Sequence, residues 1–170
     1  MPCNAAWRAF VPAPWLRNPH AMTLFPRYWP RVGLLRGVPT EPRWFTVAPD
    51  TKMLGLCHWQ STPARHPVLL LVHGLEGCSE SHYMRGIATK AWRAGFNVVR
   101  LNQRNCGGTE HATPTFYHGG LSSDLYAAVE EVWKTDPCER IWLAGYSMGG
   151  NLMLRLAGEV GMGLPPLQGV

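Results

Sequence analysis

The 170-residue chain has no run of about 18 uncharged apolar residues, so no membrane-spanning helix is expected. Its opening, MPCNAAWRAFVPAPW, lacks the apolar core of roughly 7–15 residues that a secretory signal carries. No C-x-x-C pair occurs. The five cysteines (Cys3, Cys57, Cys78, Cys106, Cys138) are odd in number and scattered, which argues for reduced thiols in a cytoplasmic protein rather than a disulfide framework. Cys78 and His82 could share a helix face, but two candidate ligands without a third do not make a metal site, and no metal is expected. There is no G-x-x-x-x-G-K-[ST], and no G-x-G-x-x-G follows a strand-like run. Nucleotide binding is thereby set aside, and no cofactor is expected.

Charge is also sparse, at 16% of residues against 46% hydrophobic, so a chain the size of one ordinary domain has enough apolar material for a core. Acid is nearly missing from residues 1–43. Arg8, Arg17, Arg27, Arg31, Arg36 and Arg43 face one acid, Glu41, and this segment accounts for the whole net charge of +5. With Trp7, Trp15, Phe25, Tyr28 and Trp29 among the arginines, the arm has the composition of a nucleic-acid or anionic-membrane contact. Prolines at 2, 12, 14, 19, 26, 30, 39 and 42 oppose a continuous amphipathic helix. The simpler expectation is an irregular segment, residues 1–43, packed on the body with its aromatics buried and its arginines solvated. No nucleic-acid partner is expected, and a peripheral membrane contact is the most the arm suggests.

Residues 44–170 are regularly patterned. WFTVAPDTKMLGLCHW reads as two strands about the turn Ala48-Pro49-Asp50-Thr51, because Pro-Asp pre-sets a type I geometry. PVLLLVHG (67–74) is a continuous apolar run of strand length, as in parallel strands buried on both faces, and FNVVRLN (96–102) reads as the next buried strand. Between them Met84, Ile87, Ala88 and Ala91 mark the inner face of a helix from about Ser79 to Ala94. A loop rich in Gly, Pro and Thr runs to about Gly120. A second helix is expected from Ser122 as N-cap, with Asp124 in its first turn and Leu125, Ala128, Val129 and Val132 inward. Strand RIWLAG (140–145), a helix from about Gly149 to Glu159 and a strand start at LQGV (167–170) follow. The alternation predicts an α/β fold: a mostly parallel sheet with helices on both faces.

Gly145-Tyr146-Ser147-Met148-Gly149 fits G-x-S-x-G at a strand-to-helix junction. The turn is so tight that only glycine fits two residues either side of the serine, which lifts the hydroxyl clear at the carboxyl end of the sheet. Ser147 is the candidate catalytic nucleophile; the plainer alternative is a serine that only caps the following helix. His73-Gly74-Leu75-Glu76-Gly77, after strand 67–72, is the position from which such folds draw a second oxyanion donor. The backbone N–H groups of Leu75 and Met148 are therefore the candidate oxyanion hole. His73, Gly74, Gly145 and Gly149 are read as supporting the motif, with the His73 imidazole shaping the loop rather than acting as a base.

HGLEG, LNQRNCGGTE, TPTFYHGGLSSDL and GYSMGGNLMLRL, with the opening FVPAPWLRNPHAMTLFPR, together resemble the AB hydrolase 4 family of α/β-hydrolases. The resemblance covers nearly the whole chain. It implies the α/β-hydrolase fold and a serine carboxylic-ester hydrolase acting on short-chain esters or acylglycerols, small-molecule or lipid. Asn105 stands where that family usually has glycine, so loop 102–110 is expected to be shaped differently. In α/β-hydrolases the order is Ser, then Asp or Glu, then His. After Ser147 this chain has one acid, Glu159, and no histidine. His111 and His118 precede it, and a His118–Asp124 dyad is disfavoured because the resemblance makes that stretch a structural connection. The resemblance thus implies the N-terminal half of the hydrolase domain over residues 44–170, truncated before the strands that bear the acid and the histidine. Little activity is then expected from these residues alone, and strand 140–144 would form an open sheet edge. The alternative is a non-catalytic binding protein on the front half of the fold.

Overall fold

The structure, a computed structural model, describes residues 9–29, 31, 33–136, 138, 140–160 and 167–170. They fall into two compact units, Met1–Val32 and Gly33–Val170. Where an irregular arm was expected, the first unit contains a helix, α1 (Pro19–Tyr28). Two features permit it. The Asn18 side chain accepts hydrogen bonds from the N–H groups of His20 and Ala21, and Pro19 occupies the first helical position, where no N–H is needed. The Phe25 ring lies between Trp15 and Trp29, with centroids 4.6 and 4.5 Å away.

The second unit is a six-stranded sheet. β1 (Glu41–Ala48) and β2 (Thr51–His58) form a hairpin about Pro49-Asp50, and β2 runs antiparallel to β4 (Asn97–Leu101). β3 (Val68–Val72), β5 (Ile141–Gly145) and β6 (Leu167–Gly169) continue the sheet in parallel, giving the order β1-β2-β4-β3-β5-β6. α2 (His82–Arg93) packs Met84, Ala88 and Ala91 against Leu71 and Val98 on one face. α3 (Ser122–Thr135) and α4 (Met148–Val160) pack Leu125, Val129, Val132, Leu152 and Leu156 against Val68, Leu70, Val72 and Leu143 on the other. Alternate residues of β3 thus meet opposite helical layers, which explains its unbroken apolar run. β3 leads to α2 on one face, while its neighbour β5 leads to α4 on the other. The crevice at their carboxyl ends is the point where connections diverge, the usual place for a ligand in open α/β sheets.

Three expectations change. α2 begins at His82 rather than Ser79, because the polar groups of 78–81 are spent on the loop: the Ser79 N–H donates to Asn102 Oδ1, and its carbonyl accepts from Arg100. Ser122 does not cap α3. Leu121 holds the N-cap position, and the Ser122 hydroxyl donates to Glu159 on α4. Nor is β5 the sheet edge, since β6 pairs with it through Ile141 and Trp142.

Candidate active site

Ser147 has φ +50, a left-handed conformation uncommon for a non-glycine residue, and is exposed between β5 and α4. The elbow has no room to relax. A Cβ on Gly149 would lie 2.5 Å from the His73 carbonyl oxygen and 2.6 Å from that of Val72, and one on Gly145 would lie 2.5 Å from Gly150 N. A Cβ on Gly74 would lie 3.3 Å from Ser147 Cβ, so the loop after β3 runs directly against the serine. Among the described residues, neither the Leu75 nor the Met148 N–H enters a hydrogen bond. Leu75 is exposed, and Met148 opens α4, whose first-turn N–H groups have no intrahelical acceptor.

Because Ser147 is held at positive φ, Ser147→Gly is expected to stabilise the fold by roughly 0.5–1 kcal/mol. Release of left-handed strain exceeds the added chain entropy of glycine. Urea midpoints of the two proteins check this.

His73 is fully buried with both ring nitrogens in use. Nδ1–H donates to the Gly74 carbonyl at 2.7 Å, and Nε2 accepts the Gln103 N–H at 3.0 Å. Burial lowers its pKa, so it stands neutral and is committed to the loop. The rest of the loop rests on two tyrosines. Tyr83 OH accepts the Gly74 N–H at 3.2 Å and Tyr117 OH accepts the Glu76 N–H at 2.8 Å. His58 is also lowered, first by burial. A histidine lowered on folding binds more protons unfolded than folded. Its contribution is therefore complete above the ordinary value near 6.5 and is lost as pH falls below it. The urea midpoint should drop between about pH 7 and 5, and less so in His58→Gln.

The His118–Asp124 dyad does not assemble. Arg104 takes both carboxylate oxygens of Asp124, at 2.5 and 2.6 Å, and also donates to Thr115 Oγ1 at 2.6 Å. His118 Nδ1 accepts the Gly120 N–H at 3.1 Å, although its loop does reach α4, where Asn151 Nδ2 donates to the Gly119 carbonyl. No hydrogen bond joins a histidine to Ser147 among the described residues. Asn105, in the glycine position, has φ +57. It adopts the left-handed conformation glycine takes freely, one that asparagine tolerates better than most residues. Sequence reasoning missed Tyr83, Gln103 and the Asp124 partner Arg104. Arg104 and Gln103 lie inside the LNQRNCGGTE motif, a signal that was present but carried no partner.

Among the described residues, no group of three or more His, Cys, Asp or Glu is placed to hold a metal ion. No helix among them is long and apolar enough to cross a membrane.

Comparison with known proteins bears on the fold. A protein-family model, that of the alpha/beta hydrolase fold, matches residues 67–162. The chain belongs to that family. It is 30% identical over 167 residues to Embryogenesis-associated protein EMB8 of Picea glauca, covering 92% of this chain and 35% of that protein. It is 31% identical over 94 residues to Monoacylglycerol lipase of Saccharomyces cerevisiae, covering 55% of this chain and 21% of that one. The crystal structure of the Pyrococcus furiosus esterase Pf2001 superposes with a TM-score of 0.63 at 22% identity, over 73% of this chain and 49% of that one, which speaks for the fold alone. This α/β-hydrolase chain thus spans about a third of EMB8 and a smaller share of the lipase.

Proposed function

We propose that Ser147 is the nucleophile of a carboxylic-ester hydrolase of the AB hydrolase 4 type, acting on short-chain esters or acylglycerols. The observation that carries this is the strained serine at φ +50, held against the Gly74 loop at the carboxyl ends of β3 and β5. Ser147 Oγ attacks the ester carbonyl carbon, and the carbonyl oxygen becomes an oxyanion facing the N–H groups of Leu75 and Met148. Collapse expels the alcohol, which takes up a proton, and leaves an acyl-enzyme. Water then attacks the acyl carbon, releasing the acid and restoring the hydroxyl. Both halves need a base to remove a proton from Oγ or from water, and a histidine held by a carboxylate is the usual one. Among the described residues none is at hand. The proposal therefore assigns the acid and the histidine to positions outside residues 1–170. The likeness to a monoacylglycerol lipase supports an acylglycerol-like substrate.

Removing the base of such a triad costs about 10⁶-fold in turnover, leaving what the oxyanion hole supplies. Hydrolysis of p-nitrophenyl butyrate by the 170-residue chain should therefore sit near background at pH 7. A reading frame extended to supply an Asp and then a His should turn it over, with loss on Ser147→Ala. Turnover by the extended protein that survives Ser147→Ala refutes the assignment of Ser147.

A further inference from the structure

A groove of about 670 Å³ lies along the proposed oxyanion loop and has no part in the chemistry above. Glu76 and Gly77 form one wall, the loop after β4 contributes Asn105 and Glu110, and Phe116 stands at the connection to α3. Its volume is that of a small-molecule site. Glu76, two residues past Gly74, has φ +54, and its N–H is fixed on Tyr117 OH; this anchors the wall to the loop that touches Ser147. The lining is chemically one-sided. Among the described residues it holds two carboxylates and no lysine, arginine or histidine. Arg104, the nearest cation in sequence to Asn105, is engaged by Asp124 and Thr115. The Asn105 side-chain oxygen accepts no hydrogen bond among the described residues. The Phe116 ring is 79% exposed, an apolar surface beside the two acids.

We infer that this groove receives the alcohol portion of the ester and selects alcohols that are cationic or rich in hydrogen-bond donors, turning away anionic ones. An ammonium or hydroxyl donor meets Glu76 and Glu110, while the carbon chain lies against Phe116. A carboxylate, sulfonate or phosphate in the same place would face two like charges without a counter-ion. The inference rests on the reading of Ser147 only in naming the ligand as an ester; the charge preference belongs to the groove itself.

The test is therefore a titration of the Ser147→Ala form of the 170-residue chain, in which no turnover can occur. Three butyrate esters serve as probes: 2-(dimethylamino)ethyl, 2-hydroxyethyl and 2-sulfoethyl butyrate, with binding followed by NMR shifts. At low salt the cationic ester should bind about tenfold more tightly than the sulfonate, with the hydroxyethyl ester between them. The gap should narrow at high salt, since exposed charges are screened. Glu76→Gln/Glu110→Gln should remove the order while keeping the fold, checked by an unchanged urea midpoint. Equal affinities for the three esters, no binding by any of them, or a preference that survives the double substitution would each overturn the inference. None of these results bears on whether Ser147 is the nucleophile.

Discussion

Gly149→Ala is expected to destabilise the protein by more than about 4 kcal/mol, while Gly158→Ala, on the same helix, should stabilise it by about 0.5–1 kcal/mol. The added methyl at Gly149 meets the carbonyl oxygens of His73 and Val72 at 2.5 and 2.6 Å, so it presses on backbone rather than on a side chain that could rotate. That backbone cannot withdraw. The Val72 carbonyl accepts the Tyr146 N–H at 3.1 Å, and Val72 pairs with Gly145 across the β3–β5 ladder. Retreat would break the parallel pairing that brings the Gly74 loop to the serine. At Gly158 the same methyl meets nothing within 4 Å, and the helix gains the lower chain entropy of alanine. Urea denaturation of the two variants separates a close-approach glycine from a merely flexible one, since opposite signs are predicted for one chemical change.

Asp124→Ala is expected to cost about 3–5 kcal/mol, because it leaves the Arg104 guanidinium nearly buried without a counter-charge. The side chains of the pair are 5% and 11% exposed, and Asp124 holds Arg104 through both oxygens. Arg104 in turn holds Thr115, so the pair pins the connection 104–117 onto α3. Leu121, Leu125 and Leu152 line the same small interior space, so an apolar pair has company there. Arg104→Met/Asp124→Leu should recover most of the loss. A double-mutant cycle read by urea midpoints tests this, and additive losses would contradict the account of the pair.

Much of the fold was legible because its signals are local. β3 and β5 are unbroken apolar runs in the sequence, and Met84, Ala88 and Ala91 repeat at helical spacing; both follow from which faces are covered. The elbow was legible because close backbone approach at Gly145 and Gly149 leaves a glycine imprint in the sequence. What escaped depends on contacts between distant residues. Ser122 and Asp124 both have good first-turn chemistry, but Glu159 and Arg104 claim their side chains. The true start of α2 depends on Asn102 and Arg100, which no local rule joins to Ser79. α1 went unread because the prolines that oppose a long helix also favour a short one beginning at Pro19.

The central claim is that Ser147 sits in a formed elbow whose base is not supplied by residues 1–170. Three of the cysteines should not confuse a test of it. Burial pushes the Cys57 thiol up to about 12 and raises Cys106 and Cys138 as well. The measurement is intact-mass and peptide mapping of the 170-residue chain after a fluorophosphonate, timed at pH 7 and at pH 9. The account predicts slow labelling at pH 7, labelling about 100-fold faster at pH 9 as hydroxide does the work of the absent base, and an adduct on Ser147 alone. Rapid labelling of Ser147 at pH 7 would mean that a base is present within these residues. No Ser147 adduct at either pH would mean that the elbow is not a nucleophile site.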